Sequence, residues 1–431
     1  MKKQVLVIGP ALSRSGYGEQ TRFALRALKS FEDEIDVYII PTAWGNTGWI
    51  VDNTEERAWI DKRITLTQQR NAQDLGYHAT IQVDVPWAPP PPGVPPEQAS
   101  GWRRLTNHDV GYTAGVETNK ISPEWIERSQ IMKKIIVVSE HSKNIFNDTV
   151  YTAVDQQTGR QIQIHNKTPI DVVGFPYRGI TPSPRLKLDL KHKFNFLTVA
   201  QWCRRKNLHN TVKWFVEAFH DKEVGFVMKT NLMKNCLMDR NRTAQSISNI
   251  LHGYPDRKCS VHLLHGNLTD EEMQALYLEP KIKAYLSLSH GEGFGIPMFD
   301  AVCNGMPIVT PAWSGQLDYL TMPDKKGRKT VSAARVDFSM RQIQKDAVWK
   351  GILQSDSMWC YADELSAKQK MVDVFNRYSK YKKHATSLKK HITKTFDQNL
   401  MYKKFVDSTG ILDIEVVPQE QGTLDDLQVF G

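Results

Sequence analysis

Short apolar runs, each about the length of one strand and each closed by glycine, proline or a polar loop, recur in two series along this chain. That pattern restricts it to α/β architectures with parallel sheets. Val5-Leu6-Val7-Ile8, ended by Gly9-Pro10, and Val37-Tyr38-Ile39-Ile40 flank a helical stretch from about Gly18 to Ser30. This is a βαβ opening. Ile135-Ile136-Val137-Val138 supplies a further buried strand. A second series begins near Phe194. Its predicted strands are 196–200, 225–228, 261–264, 284–288 and 308–310, and its predicted helices are 210–219, 270–277 and 298–303. The series meet between Pro176 and Leu190, where Pro182 and Pro184 break any regular element. A length of 431 residues accommodates two such halves, each with its own core.

Hydrophobic residues make up 40% and charged residues 24%, which excludes a disordered or collagen-like chain. No run approaches the ~20 apolar residues of a membrane span. The run at 5–8 is too short for a signal-peptide core. These features predict a soluble, cytoplasmic protein. Cys203, Cys236, Cys259, Cys303 and Cys360 are scattered, odd in number and without a C-x-x-C pair, so neither a disulfide framework nor a zinc cluster is expected. The net charge is +9, yet residues 1–185 carry 21 basic against 20 acidic side chains. Residues 366–405 carry 11 Lys/Arg against Asp373 and Asp397, numerically the whole excess. Met371, Val374, Phe375 and Tyr378 give that segment helical spacing. Its basic face is either simply solvated or a contact for a polyanion, nucleic acid or an anionic membrane surface. Residues 86–101 hold seven of the 21 prolines and predict a stiff, extended surface insertion rather than a ligand for a proline-recognising partner.

Four constellations carry chemistry. The loop from Gly9 to Glu19 joins a strand end to a helix start, and its backbone N–H groups around Gly16 and Gly18 suit a phosphate as well as a plain turn. Glycines at 9, 16 and 18 do not form G-x-G-x-x-G, which disfavours a dinucleotide-dependent dehydrogenase. The run Ser289-His290-Gly291-Glu292-Gly293-Phe294-Gly295-Ile296-Pro297 places an acid and an aromatic among three glycines after a strand, with a helix following and Asp300 eight positions after Glu292. Such carboxylates accept hydrogen bonds from sugar hydroxyls and from a ribose diol. Arg204, Arg205 and Lys206 lie just past a strand end and suit a diphosphate, each charge-assisted bond contributing roughly 1.5–3 kcal/mol. The fourth is Asn107-His108-Asp109-Val110-Gly111-Tyr112-Thr113, with Glu117-Thr118 beyond it.

Residues 284–320 resemble the donor-binding region of retaining glycosyltransferases of the GT-B fold, whose E-x7-E motif is matched by Glu292 and Asp300. Leu268–Met273, Gly305–Val309 and Ser314–Asp318 carry the likeness further, and the G-Y-T…E-T block at 111–118 is similar to the acceptor side of such enzymes. Asp300 stands where the family usually has glutamate, one methylene longer. The resemblance implies two Rossmann-like doubly wound domains facing a cleft: residues 1–185 on the acceptor side and 190–390 binding the nucleotide-sugar. Residues 391–431 would form a helix and tail crossing back.

It also implies roles. Arg205 and Lys206 would stabilise the departing diphosphate, and Arg205 is favoured over Arg204 as the arginine. Glu292, with the backbone of Gly291, Phe294 and Gly295, would hold the sugar. Asp300 would hold the ribose, amides around Gly16 and Gly315 would help with the departing diphosphate, and Gly18 and Ser314 would also line the donor site. His108 would touch the transferred sugar and Glu117 would line the acceptor site. The donor would be a UDP- or GDP-linked sugar, with no metal and no resident cofactor. A glycan or lipid-linked glycan is the expected acceptor, a hydroxyl-bearing modified base in DNA the alternative. A same-fold epimerase, a phosphorylase and a non-catalytic nucleic-acid-binding protein are the competing classes.

Overall fold

The computed structural model describes residues 1–85, 105–154, 159–183, 186–324 and 326–415. The proline-rich segment 86–101 lies outside the described residues. Two six-stranded parallel sheets organise them. The first draws on β1 (Lys3–Gly9), β2 (Ile35–Pro41), β3 (Ala79–Val83), β4 (Asp109–Thr113) and β5 (Lys134–Val137); after a hairpin of β6 (Val150–Val154) and β7 (Gln161–His165) comes its last strand, β8 (Ile170–Val172). The order is β2-β1-β3-β4-β5-β8. Helices α1 (Gly16–Lys29), α2 (Glu55–Ala72), α3 (Pro123–Ser129) and α4 (Glu140–Asp148) alternate with these strands.

The second sheet uses β9 (Asn195–Val199), β10 (Gly225–Lys229), β11 (Ser260–Leu264), β12 (Ile282–Leu286) and β13 (Ile308–Pro311), interleaved with α5 (Leu208–Ala218), α6 (Leu237–Leu251), α7 (Asp270–Leu278) and α8 (Ile296–Cys303). A short helix α9 (Leu317–Leu320) and a hairpin of β14 (Thr321–Pro323) and β15 (Lys329–Val331) precede the edge strand β16 (Ala334–Val336). The order is β11-β10-β9-β12-β13-β16. Strand order reverses between β1 and β3 and between β9 and β12. Crevices therefore open at the carboxyl ends of those strands, where ligands of such sheets bind.

An antiparallel pair, β17 (Phe338–Gln342) and β18 (Met358–Ala362), follows; then come α10 (Glu364–Asn376), α11 (Tyr378–Thr395) and α12 (Gln398–Thr409). Helix α11 packs on α8, whereas α12 returns to the first sheet and packs on α1. Its Tyr402 and Phe405 meet Phe23, and Phe405 meets Tyr112 with ring centroids 5.0 Å apart. Each such buried ring contributes about 1.5–3 kcal/mol. The turn between α11 and α12 brings Phe396 against Phe294 and Phe299, and Phe294 also meets Phe175 of the interdomain link. Gly174 allows this approach, since a Cβ there would stand 2.6 Å from the Phe396 ring. No helix among the described residues is long and apolar enough to cross a membrane.

One expected site residue is displaced by this topology. His108 immediately precedes β4, so it lies at the amino edge of a parallel sheet, at the opposite end from the cleft. Its Nε2 donates to the Thr409 carbonyl at 2.7 Å, at the end of α12. His108 is thus a fastener between α12 and the first sheet and not a group facing the cleft. Replacing it by alanine is expected to lower unfolding stability by about 1 kcal/mol and leave turnover intact, as denaturant titration and initial rates would show.

Candidate active site

Two loops build the centre of the cleft. Past β9, Asn207 adopts the left-handed conformation (φ 52°) at the start of α5, and its side-chain amide donates to the Leu288 carbonyl at 3.2 Å. This turn points Arg205 and Lys206 toward the loop past β12. The Lys206 ammonium donates to both carboxylate oxygens of Glu292 at 2.6 Å. Arg205 donates to the Gly291 carbonyl at 2.8 Å and to Glu292 at 3.2 Å, and its other terminal nitrogen meets Glu117 of the first domain at 3.1 Å. Arg204 turns outward to pair with Asp346, so the geometry separates the two arginines. Burial pushes the Glu292 carboxyl up, but Lys206 and Arg205 outweigh it and hold the group below its ordinary value. Burial disfavours the charged form of Arg205, yet Glu117 and Glu292 overcome this and hold its pKa above the ordinary range.

The Glu292 backbone is clamped as well. Its N–H donates to Ser314 Oγ at 2.9 Å, and its carbonyl accepts from Gly315 N–H at 2.9 Å. Ser314 holds a positive φ of 70°, a strained state that costs on the order of 1–3 kcal/mol for a non-glycine residue. Gly315 is required by close approach: a Cβ there would stand 1.9 Å from the Gly293 carbonyl oxygen. The N–H groups of Gly293, Phe294 and Gly295 donate no backbone hydrogen bond among the described residues, at the start of α8. Backbone donors at a helix start suit an anion or a sugar hydroxyl. The Phe294 side chain itself is buried in the aromatic cluster described above.

The glycines divide by purpose. Gly291 abuts the other domain, a Cβ there falling 2.5 Å from the Glu117 carbonyl oxygen. Gly18 abuts the Ser13 carbonyl within its own loop, so its smallness serves packing and not ligand approach. Gly16 has open space beside it, at the start of α1, where Ser15 caps by accepting from Gly18 N–H.

Asp300 sits on the following helix. Burial pushes its carboxyl up to about 7 against the opposing pull of Arg178, while Glu19 and Asp270 add to the rise. Arg178 itself pairs with Asp270 at 2.8 Å and lies 3.6 Å from Glu19. The structure thus brings Glu117, Arg205, Lys206, Glu292, Ser314 and Gly315 into one cluster, with Asp300 on the helix that the Glu292 loop enters.

Several contributors escaped the sequence reading. Ser289 Oγ donates to the Gly291 carbonyl at 3.0 Å. Tyr17, between Gly16 and Gly18, stacks on Trp44 with centroids 4.1 Å apart, and its hydroxyl receives the Ala114 N–H. Its position between two glycines of a suspected phosphate loop was the available signal. Asp84, directly after β3, is pushed up to about 7 by burial, and nothing around it in the sequence marked it.

No family model and no curated protein matches this chain. Solved structures do. A glycosyltransferase from Rickettsia africae aligns over 96% of this chain and 100% of its own, with a TM-score of 0.57 and 13% identity. HepE of Anabaena in complex with UDP-glucose aligns over 94% and 99%, at 0.55 and 12%. Sucrose-phosphate synthase from Thermosynechococcus elongatus aligns over 94% and 98%, at 0.56 and 11%. The likeness is one of fold: this chain has the GT-B fold, two Rossmann-like domains facing a cleft.

Two outcomes follow from this geometry. Gly315→Ala must separate the Ser314 and Glu292 loops, so amide hydrogen exchange across residues 291–295 and 313–316 is expected to speed up at least tenfold. The folded Asp300 pKa of about 7 exceeds its ordinary 3.8. Its contribution to stability is therefore full below the ordinary value and lost as pH rises through about 7. Asp300→Asn is expected to remove that fall, raising the unfolding temperature relative to the parent protein above pH 7.

Proposed function

We propose that this chain is a retaining glycosyltransferase that moves a sugar from a nucleoside diphosphate sugar to an acceptor hydroxyl. The observation that carries this reading is the Arg205–Lys206 pair locked onto the buried Glu292 at the sheet ends. Cations already fixed by carboxylates need little reorganisation when a diphosphate gains charge as it departs. In the reaction, the bond from the anomeric carbon to the diphosphate oxygen breaks. The acceptor oxygen bonds that carbon from the same face, and its proton passes to the departing phosphate. Glu292 and the amides of Gly293–Gly295 hold the sugar hydroxyls, and Asp300 holds the ribose. No protein nucleophile is required.

A glycan or lipid-linked glycan is the acceptor this reading favours. The half-exposed Trp49 offers an aromatic face on the acceptor side, which suits a sugar ring. UDP-glucose, present in the Anabaena structure of this fold, is the first donor to test. A second reading, contact with a polyanion, is favoured by α11: its 18 residues include six lysines and no acid. None of these lysines forms an ion pair among the described residues. That face serves either a DNA acceptor or an anionic membrane.

The test incubates the protein with labelled UDP- and GDP-sugars and separated DNA, lipid, polysaccharide and protein fractions. Label in polysaccharide or lipid is expected. Label in DNA would transfer the assignment to a modified base, and label in no fraction would overturn the transferase reading. Lys206→Met, with its fold checked by circular dichroism, is expected to lower kcat roughly 10²–10³-fold, the scale of losing one preorganised donor at a developing charge.

A further inference from the structure

The segment between β17 and β18 belongs in sequence to the second domain, yet it inserts into the first. Ile352 is 5% exposed and packs in the core that contains Val85, Val116, Ile121 and Trp125. The Gly351 carbonyl accepts from both Ser122 Oγ and Trp125 Nε1 at 3.0 Å. Gly351 makes this turn at a φ of 78°. Met358 and Asn119 exchange bonds: Asn119 N–H donates to the Met358 carbonyl at 3.0 Å, and Met358 N–H donates to Asn119 Oδ1 at 2.7 Å. Lys120 pairs with Asp356.

Strand β18, which continues this segment, grips the donor loop. Cys360 N–H donates to the His290 carbonyl at 3.0 Å, His290 Nδ1 donates to the Cys360 carbonyl at 2.7 Å, and the His290 ring stacks on Trp359. His290 adjoins Gly291 and Glu292, and Asn119 lies two residues from Glu117. One element therefore holds both loops whose carboxylates clamp Arg205.

We propose that residues 343–360 are a strap that sets the Glu117–Arg205 contact, with Ile352 and Asn119 as positioning residues for the transfer step. The strap ties the acceptor-side loop 114–122 to the donor loop, so the guanidinium is aimed before any donor arrives. The catalytic part of this inference rests on the transferase reading above; the structural part does not. Loss of the plug should displace Glu117 without touching the residues that hold the nucleotide, and small misplacements at a reacting centre are costly.

The experiment compares Ile352→Ala, Ile352→Val, Asn119→Ala and Glu117→Gln in the full chain, with amide hydrogen exchange and steady-state kinetics on each. Ile352→Ala and Asn119→Ala are expected to speed exchange across residues 114–122. They should lower kcat roughly tenfold to a hundredfold while the donor KM stays within about twofold. Ile352→Val should restore both readouts. Ile352→Ala combined with Glu117→Gln should lose no more than Glu117→Gln alone, because both act through one contact. Unchanged exchange at 114–122 in Ile352→Ala overturns the proposal whether or not the protein turns over. Full additivity with Glu117→Gln overturns its catalytic part. A parent protein that neither binds nor turns over a nucleotide-sugar refutes the transferase reading instead, and the strap is then decided by exchange.

Discussion

At the centre of the cleft, the two halves of this molecule meet on one guanidinium. Arg205 is reached by Glu117 from one sheet and by Glu292 from the other, so the cleft closes around a charge that neither domain neutralises alone. Most local irregularity nearby serves that contact. Asn207 turns left-handed to aim the cation, Ser314 turns left-handed to hold the Glu292 backbone, and Gly291 yields its Cβ so that the Glu117 backbone can approach. An isolated buried carboxylate would take up a proton. Here the two cations outweigh desolvation, and Glu292 stays charged. Ionised and fixed, it can accept from hydroxyls without first rearranging.

Around that charge the structure is apolar and aromatic. Phe294, two residues from Glu292, is packed with Phe175 of the link, Phe299 of α8, Tyr319 of α9 and Phe396 between α11 and α12. The loop that presents the carboxylate is therefore anchored in the cluster through which the chain passes between domains. Interiors this dense transmit small displacements rather than absorbing them.

What the sequence made legible follows from how each part is encoded. Strands buried on both faces, such as Val5–Ile8 and Ile135–Val138, are written as continuous apolar runs and are readable. Strands β3 and β4, Ala79–Val83 and Asp109–Thr113, lie fully buried in the middle of the first sheet but contain Thr, Gln, Asp and Gly. The Asp109 carboxylate accepts from the N–H groups of Leu105 and Thr106, an arrangement that local pattern does not reveal. The Glu292 loop and the Arg205–Lys206 turn were readable because glycine spacing and adjacent cations are local signals. His108 was misplaced because a motif gives no direction along a strand: only the sheet shows that β4 starts there, away from the cleft. The strap was invisible for a different reason. Ile352 is one of several apolar residues in its stretch, beside Leu353, Val348 and Trp349, and what it covers lies more than two hundred residues earlier.

The return of α12 has a consequence for synthesis. The first domain's core is completed by Tyr402 and Phe405 from the far end of the chain, and by Ile352 from the strap. As the polypeptide emerges from the ribosome, its first sheet is made long before the rings that cover it. Phe23, Tyr112 and Trp125 must wait, incompletely covered, while the second domain is translated. Domains of larger chains generally fold as units, N-terminal first. This one cannot finish in that order: the first of its two sheets to be made is sealed only after the second has been translated.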